Sequence, residues 1–307
     1  MQLVKDEIDY QAYLAEPEAK HKVRAASSYT DELVERFLLP PEAKGTYLPW
    51  IKTHQTIRYR PNELSLHNGI NGHGKSLVLG QIEIHQMAQG EKILIASMEM
   101  KPVTTMERMT RQATKRGNPS VTEIKEFACW TDGKLWIYDH LGAVKWQHLL
   151  AVCRYAINEY GITQIVIDSM MRCGIGDQDY DGQKEFVDAL CTLKMDYPVH
   201  IHLVTHSRKR HDEHEPPGKF DLKGSGTITD LADNVFTYWR NKRKEEMREA
   251  GESFDDREAD AILSCDKQRN GEWEGKIGLW YLPGPMQFVE SPRQGPIDLI
   301  PNNGVVM

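Results

Sequence analysis

Blocks of apolar residues alternate with polar segments along most of the chain, and the lengths of these blocks predict strands followed by helices. Four short apolar runs, each ending at a polar residue, predict buried strands: residues 92–97, 135–139, 162–169 and 200–206. The longer stretches 77–87 and 146–160 predict helices, and the first ends near Gly90. Since strands and helices alternate from about residue 58 to 289, the predicted fold class is α/β, with a mainly parallel sheet flanked by helices.

Three further segments carry weaker patterns. Residues 63–68 alternate polar and apolar side chains, as expected for a strand with one buried face. Residues 260–269 and 276–281 predict two strands, and Asn270-Gly271 between them predicts a hairpin turn, because this pair favours two-residue hairpin loops. The charged stretch 242–260 predicts a helical segment with a solvated surface.

The two ends of the chain differ from this central region. Residues 1–54 lack a clear core pattern and predict an N-terminal extension, in which residues 30–38 form a short amphipathic helix with Thr30 as its N-cap. Such a helix needs a surface to pack on, either its own domain or a neighbouring subunit. Residues 55–290 are predicted as the main domain. Residues 291–307, rich in proline, glycine and asparagine, are predicted as a flexible tail.

A phosphate-binding loop is predicted at residues 69–76, where Gly69, four residues and then Gly-Lys-Ser lie between a predicted strand and a predicted helix. Glycines let the backbone fold tightly round phosphates, so that N–H groups and a helix N-terminus point at the anion. Lys75 adds a charge at the β- and γ-phosphates, and Ser76 adds a hydroxyl for Mg²⁺. The remaining loop residues are Asn71, Gly72, His73 and Gly74. The expected ligands are ATP or another NTP together with Mg²⁺; the alternative is a glycine-rich turn without function.

Three polar side chains lie at or just beyond the ends of predicted strands. Ligands bind outside the carboxyl ends of the strands in open α/β sheets, so Glu99, Asp168 and His206 are expected to converge with Lys75 on one site. Asp168 suits the acid that holds Mg²⁺ through water, and Glu99 suits a carboxylate that orients and deprotonates the attacking water. His206 suits a sensor of the γ-phosphate. The alternatives are a helix cap, a solvated strand-end carboxylate and an ordinary surface histidine, respectively.

Composition limits the partners and the compartment. The chain has 307 residues and a net charge of −7, so any nucleic-acid contact is expected to be local. Its five cysteines, without a Cys-x-x-Cys pair, favour reduced thiols over a zinc site or a disulfide frame. Neither a signal-peptide core nor an apolar run of about 18 residues occurs. We therefore expect no membrane contact and a cytoplasmic location, with an organelle as the alternative.

A polar loop of mixed charge follows His206. Its cations are Arg208, Lys209, Arg210, Lys219 and Lys223. The mixed signs favour a solvated loop, but its position after a strand end would let these cations reach a nucleic-acid phosphate.

Six segments, in this order, resemble the motifs of the ring helicases of the RecA-like DnaB superfamily, with the closest likeness to the Twinkle type and the helicase half of T-odd phage primase-helicases. These segments are residues 69–76, 97–100, 165–169, 203–206, 221–226 with 232–235, and 267–271. They span about residues 55–290. Most are weak signals alone, but their order is specific.

The resemblance implies a RecA-like P-loop NTPase core with a C-terminal β-hairpin and a short N-terminal linker helix. It implies an NTP-dependent DNA helicase that works as a homo-hexameric ring on single-stranded DNA at a replication fork. Glu99 would be the catalytic carboxylate, and His206 would couple the state of the γ-phosphate to DNA. Arg269, assisted by Lys267, would act on the neighbour's nucleotide as an arginine finger.

The resemblance also implies roles for residues that pattern alone does not single out. Arg240 and Tyr281 would flank the nucleotide base. Single-stranded DNA would pass against loops near residues 174–182, 208–223 and 224–229, the last including Gly224, Ser225 and Gly226. The helix at residues 30–38 would dock on the adjacent subunit.

Three functions from different classes fit these observations. The favoured one is the helicase motor, with a separate primase and DNA polymerase as candidate partners, since no primase-like module precedes the helicase-like part. The second is a RecA-like ATPase that binds single-stranded DNA as a filament or loader without unwinding it. The third is a small-molecule phosphate-loop kinase, which would act without DNA and would leave the arginine of residues 267–271 without a task.

Overall fold

The computed structural model describes residues 2–4, 25–38, 45–176, 178–207 and 226–300. Within these ranges the chain forms one ten-stranded sheet. In chain order its strands are β1 Gln2–Val4, β2 Leu64–Gly69, β3 Ile93–Ser97, β4 Leu135–Tyr138, β5 Gln164–Asp168, β6 His200–Val204, β7 Asn234–Arg240, β8 Ala261–Gln268, β9 Gly275–Leu282 and β10 Gln287–Val289.

The sheet has a parallel part and an antiparallel extension. The strand order is β1-β4-β3-β5-β6-β2-β7-β8-β9-β10. Every pair from β1 to β7 in this order is parallel, and the pairs from β7 to β10 are antiparallel. The predicted α/β class with a mainly parallel sheet is therefore confirmed.

Most of the described helices lie between parallel strands, and α8 lies between the antiparallel strands β7 and β8. They are α1 Thr30–Leu38, α2 Lys75–Ala88, α3 Pro102–Thr114, α4 Val121–Trp130, α5 Trp146–Tyr160, α6 Tyr180–Asp196, α7 Gly226–Leu231 and α8 Lys242–Glu249. None of the helices in the described ranges combines the length and apolarity needed to cross a bilayer.

Alternate residues of the parallel strands enter two different cores. On β3, Leu94 and Ala96 pack with residues of α5 and α6, whereas Ile93 and Ile95 pack with residues of α2, α3 and α4. Helices thus cover both faces of the sheet, and strands of this kind carry nearly continuous apolar runs. This explains why β3, β4, β5 and β6 were recognisable from short apolar blocks.

Strand β2 has no solvent face, so the prediction of a single buried face is wrong. All six of its residues are buried, because the strand lies between β6 and β7 in the middle of the sheet. Its polar side chains bond to other buried groups: Nδ1 of His67 lies 2.7 Å from the Tyr238 hydroxyl, and Oγ of Ser65 lies 2.9 Å from Nε2 of His200.

The core extends beyond both predicted domain limits. Upstream of residue 55, Trp50 is fully buried and its Nε1 donates a hydrogen bond of 2.8 Å to the Phe288 carbonyl. Downstream of residue 290, Leu299 is 1% exposed, and the backbone of Ile297 makes two hydrogen bonds with the Gln287 side chain. Residues 297–299 of the predicted tail thus pack against the domain, and the tail's flexibility stays a prediction; residues 301–307 lie outside the described ranges.

Two local predictions differ from the structure because another contact replaces the expected one. Thr30 is not an N-cap: its backbone is already helical, after a 3₁₀ turn at Ala26–Tyr29, and its Oγ1 donates to the Ser27 carbonyl at 2.7 Å. Strands β8 and β9 are joined by residues 269–274 rather than by a two-residue turn. The Gln268 side chain closes this connection by donating to the Trp273 carbonyl at 2.7 Å.

The stretch 242–260 is helical at α8, but it is not wholly solvated. Lys244 is 2% exposed, and its Nζ lies 2.9 Å from a carboxylate oxygen of Asp260. Asp260 also accepts a hydrogen bond of 2.8 Å from Arg248. A buried carboxylate therefore holds α8 against the start of β8.

Candidate nucleotide-binding site

The loop between β2 and α2 has the backbone of a phosphate cradle. Gly72 and Gly74 adopt left-handed conformations, with φ of 79° and 83°, which a side chain would strain. Gly74 is the N-cap of α2, so the helix N-terminus faces the loop. The sequence pattern of residues 69–76 thus lies where a strand meets a helix, as its function requires.

Lys75 is held inside the loop. The residue is 6% exposed, and its Nζ donates to the Gly69 carbonyl at 2.7 Å and to the Ile70 carbonyl at 3.1 Å. Burial lowers the pKa of Lys75 to about 8, although Asp168 and Glu99 favour its charged form. An anion brought to this loop would restore that charge, so the lysine is prepared for a phosphate.

Ser76 and Asp168 form an oxygen-ligand pair. The Ser76 hydroxyl donates to Oδ2 of Asp168, the last residue of β5. Burial raises the pKa of Asp168, and the nearby Glu99 adds to this, while the Ser76 hydrogen bond opposes it. Mg²⁺ takes oxygen ligands and is usually held by one or two protein groups together with substrate phosphates, so this pair suits it.

Glu99 and His206 meet through a residue that sequence reasoning missed, Ser169. The Ser169 hydroxyl donates to Oε1 of Glu99 at 3.1 Å and lies 3.2 Å from Nε2 of His206. Nδ1 of His206 lies 3.4 Å from Nζ of Lys75. An imidazole with its proton on Nε2 satisfies all three contacts, because it accepts from lysine and donates to serine. Arg172 also donates to Oε1 of Glu99, at 3.2 Å.

These groups line one open cleft of about 360 Å³, which is in the size range of small-ligand sites. The predicted residues that line it are Asn71, Gly72, Gly74, Lys75, Ser76, Glu99, Asp168, His206, Arg240 and Tyr281. The two other predicted loop residues lie beside it. Gly69 supplies a carbonyl to Lys75, and Nδ1 of His73 accepts a hydrogen bond of 3.0 Å from the Arg240 backbone.

Two flat groups of the cleft, the Arg240 guanidinium and the Tyr281 ring, are suited to stacking on a base. The Arg240 guanidinium lies 4.9 Å from the centre of the Tyr281 ring. Glu245 accepts from the same guanidinium at 2.6 Å, and Asp260 accepts from the Tyr281 backbone at 2.9 Å, so both groups are fixed. The strands that carry them, β7 and β9, flank β8.

Arg108 of α3 is a second residue of the cleft that the sequence did not reveal. It lines the cleft beside Ser76 and Asp168, and it makes no hydrogen bond or ion pair with any residue that the structure describes. Its helix carries few apolar residues, and no motif marks the position. A cation in this place has its charge available for a phosphate.

Arg269 and Lys267 do not lie in this cleft. Gln268 pairs with Asn234, and Asn234 pairs with Ser65 at the amino end of β2. Four residues of extended chain, about 13 Å, separate the level of Ser65 from that of Gly69. The two cations therefore lie at the amino edge of the parallel sheet, opposite the phosphate loop of their own chain.

Most of the predicted DNA-contacting residues fall outside the described ranges. These are Arg208, Lys209, Arg210, Lys219, Lys223, Gly224 and Ser225. Gly226 is the first residue of α7, so the loop predicted at residues 224–229 is helical from this point. The loop predicted at residues 174–182 is likewise helical from Tyr180.

The fold and the cleft define a phosphate-loop NTPase with a RecA-like sheet. The chain belongs to the DnaB-like helicase C terminal domain family, whose model matches residues 54–290. It thus carries an NTP-hydrolysing helicase domain, and the predicted superfamily is confirmed. The likeness to the Twinkle type and to T-odd phage proteins stays a prediction.

Solved structures support the same fold. The ATPase domain of G40P superposes with a TM-score of 0.70 at 15% identity, over 86% of this chain and 97% of that one. A DnaB-like replicative helicase, described with its interactions with primase, superposes with a TM-score of 0.70 at 15% identity, over 87% of this chain and 68% of that one.

Proposed function

We propose that this chain is the motor subunit of a ring-shaped replicative helicase, a homo-hexamer that hydrolyses ATP or another NTP, translocates on single-stranded DNA and unwinds duplex. The observation that carries the proposal is the division of catalytic groups between two edges of one sheet. The cleft at the carboxyl edge holds a nucleotide-binding set, and the candidate arginine finger lies at the amino edge, where only another subunit's nucleotide can meet it.

Within the cleft, each residue has a distinct task. Lys75 and the loop backbone bind the β- and γ-phosphates, and Arg108 approaches them from α3. Ser76 and Asp168 would hold Mg²⁺, which would supply positive charge beside the phosphates. Glu99 orients the attacking water and takes its proton. Arg240 and Tyr281 stack on the base.

His206 links the nucleotide to DNA. It contacts Lys75 on one side and reaches Glu99 through Ser169 on the other. The segment that follows it directly in the chain carries the basic residues predicted to bind DNA. A change at the γ-phosphate would therefore reach this segment through a single side chain.

Subunit association is supported by an unpartnered helix face. Helix α1 exposes four apolar side chains: Leu33 at 52%, Val34 at 49%, Phe37 at 80% and Leu38 at 77%. An apolar hollow between α3, α4 and residue 300, lined by Phe127 and Trp130, is open on the surface. A second copy of the chain offers α1 to this hollow, as the linker helix of a ring does. A separate primase and DNA polymerase complete the proposed set of partners, and the proposed location is cytoplasmic.

The decisive experiment measures NTP hydrolysis with and without single-stranded DNA, together with unwinding of a forked duplex. The helicase proposal expects DNA-stimulated hydrolysis, unwinding and closed ring particles by electron microscopy. The variant Lys75→Ala is expected to remove most hydrolysis, because the phosphates lose their fixed cation. Filaments without unwinding would favour a DNA-binding ATPase, and hydrolysis or phosphoryl transfer that ignores DNA would favour a kinase.

A further inference from the structure

A buried carboxylate, Asp233, lies beside the arginine at the amino edge of the sheet. Asp233 is 3% exposed. Its Oδ2 accepts from the backbone N–H of Leu64 at 2.8 Å and forms an ion pair with the buried Lys194. Its Oδ1 accepts from Nη1 of Arg269 at 2.9 Å. Asp233 lies in the segment 232–235, but the resemblance gave this residue no role. Its contacts place it between Leu64, the first residue of β2, and Arg269.

Arg269 is fixed at one side of its guanidinium and open at the other. Besides the Asp233 contact, its Nη2 donates to the Asp230 carbonyl at 3.0 Å, and its backbone N–H donates to the Asp233 carbonyl at 2.8 Å. The other three guanidinium N–H groups have no partner among the described residues. The side chain is 49% exposed, so these donors face outward.

Lys267 helps to fix the position of Arg269 through the end of α7. Its ammonium donates to the carbonyls of Thr229, Asp230 and Ala232 at 2.9, 3.0 and 2.8 Å. An ammonium has only three donors, so all of them are used to fix the end of α7. One of the fixed carbonyls, that of Asp230, is the same one that holds Arg269.

A second carboxylate clamps the same turn to β2. Glu63, which is 2% exposed, accepts from Nδ2 of Asn270 at 2.8 Å and from Nδ2 of Asn234 at 2.9 Å. Glu63 therefore binds Asn270 directly, and Leu64 is joined to the preceding residue, Arg269, through Asp233. A loop that only closed a hairpin would not need two buried carboxylates to set its position.

We propose that Asp233 is the positioning residue of the arginine finger: it orients Arg269 so that its free N–H groups point at the nucleotide of the neighbouring subunit. This inference rests on the proposed role of Arg269 in trans. Preorganised donors stabilise a transition state only where their position is fixed, and a misplacement of about 1 Å can lower a rate about 10²-fold. Asp233 touches no substrate, so its loss misplaces the finger and leaves the chain's own cleft unchanged.

The test uses a pair of variants that avoids leaving a charge buried alone. Lys194→Met with Asp233→Asn removes both members of the ion pair, and the new amide oxygen still accepts from Leu64. The amide N–H₂ then faces the Arg269 guanidinium, and two donors repel each other. Lys194→Met alone is the matched control, because the Asp233 carboxylate keeps its hydrogen bonds with Leu64 and Arg269.

The double variant is expected to keep nucleotide KM and DNA binding while kcat falls about 10- to 100-fold, and the control is expected to stay near the unmodified rate. Mixing the double variant with Lys75→Ala protein should recover hydrolysis, because an intact loop then faces a well-oriented finger. Thermal unfolding of each variant is compared first. A second pair, Lys194→Leu with Asp233→Asn, keeps an acceptor for the Leu64 N–H and should give the same recovery where the first pair proves unstable.

The outcomes separate this inference from the proposed function. If Arg269→Ala hydrolyses normally, the finger itself is absent and both fail. If Arg269→Ala is inactive and is recovered by Lys75→Ala protein, the finger stands. Two results would then rule out Asp233 as the positioning residue. One is a folded double variant whose kcat equals that of the Lys194→Met control. The other is a fall in kcat that mixing with Lys75→Ala protein does not recover.

Discussion

Mild acid is expected to destabilise the domain, because three histidines lie unprotonated in its core. His67, His200 and His202 are fully buried and bonded: His67 Nε2 lies 3.0 Å from His202 Nδ1, and His202 Nε2 lies 3.0 Å from Oε1 of Gln164. Burial lowers the pKa of His67 to about 3 and that of His200 to about 4, and it also lowers the pKa of His202. In the unfolded chain these rings titrate near pH 6.5.

The size of the effect follows from the protons bound in each state. At pH 5 the unfolded chain holds about three more protons on these rings than the folded chain does. Glu83 acts in the opposite direction, because burial raises its pKa to about 8, so the folded chain keeps a proton that the unfolded carboxyl has mostly lost. The unfolded chain therefore binds about two more protons than the folded chain. This difference lowers the free energy of unfolding by about 3 kcal/mol for each unit by which the pH falls near pH 5. The histidine contribution is complete above pH 6.5 and is lost as the pH falls.

Urea unfolding followed by tryptophan fluorescence from pH 8 to pH 5 measures this slope. The variant His202→Gln keeps a hydrogen-bonding side chain and removes one titrating ring, so the slope should fall by about 1.4 kcal/mol per pH unit. Ser65→Ala is the control, because it removes a partner of His200 but no ring. It should lower stability while the slope remains. A stability that is flat between pH 7 and pH 5, or a slope that His202→Gln leaves unchanged, would refute the reasoning.

Three further predictions concern hydrolysis and DNA. Glu99→Gln keeps shape and removes charge, so nucleotide should still bind while turnover falls about 10²- to 10⁴-fold; a rate within a few-fold of the unmodified protein excludes a catalytic carboxylate. Ser169→Ala breaks the contact between His206 and Glu99, so the stimulation of hydrolysis by DNA should drop more than the basal rate; an equal drop in both would remove the link. Lys223→Ala should flatten the dependence of log affinity on log salt by about 0.7 per lost phosphate contact, and an unaltered slope points to another loop.

The elements that were easiest to predict from the sequence are those in which every residue is buried. Strands β3 to β6 are covered on both faces, so their apolar runs stand out from the flanking polar residues. Helix α3 was missed because most of its buried positions are polar, with Met109 as the apolar exception. Thr105, Thr110 and Gln112 are buried there, and the Gln112 amide donates to the carbonyls of Leu77 and Met286 at 2.8 and 2.9 Å. A helix that buries mainly polar side chains has few apolar residues to mark it in the sequence.

Residues of the site were likewise predictable only where a local pattern marked them. The convergence of Glu99, Asp168 and His206 was predictable because each lies at or just beyond the end of a strand, and strand ends share one edge; Lys75 was predictable from the loop pattern of residues 69–76. Arg108 was not, because no motif marks its position in α3. Ser169 was not, because its partner is distant in sequence: it meets Glu99 across 70 positions. Such pairings depend on how the strands are ordered in the sheet, which local patterns do not encode.

The placement of Arg269 also constrains how subunits associate. The cleft and the arginine lie at opposite edges of one sheet, so the arginine of one copy meets the cleft of another only when unlike surfaces come together. In a two-fold dimer one patch meets itself, so each arginine could reach a cleft only if both lay within the same patch, and their positions at opposite edges of the sheet disfavour this. A head-to-tail contact joins unlike surfaces, and repetition of that contact either closes as a ring or continues as a filament. The ring motor and the filament-forming ATPase therefore share one interface and differ in the rotation between neighbours, so the shape of the assembled particle, rather than any residue of the cleft, decides between them.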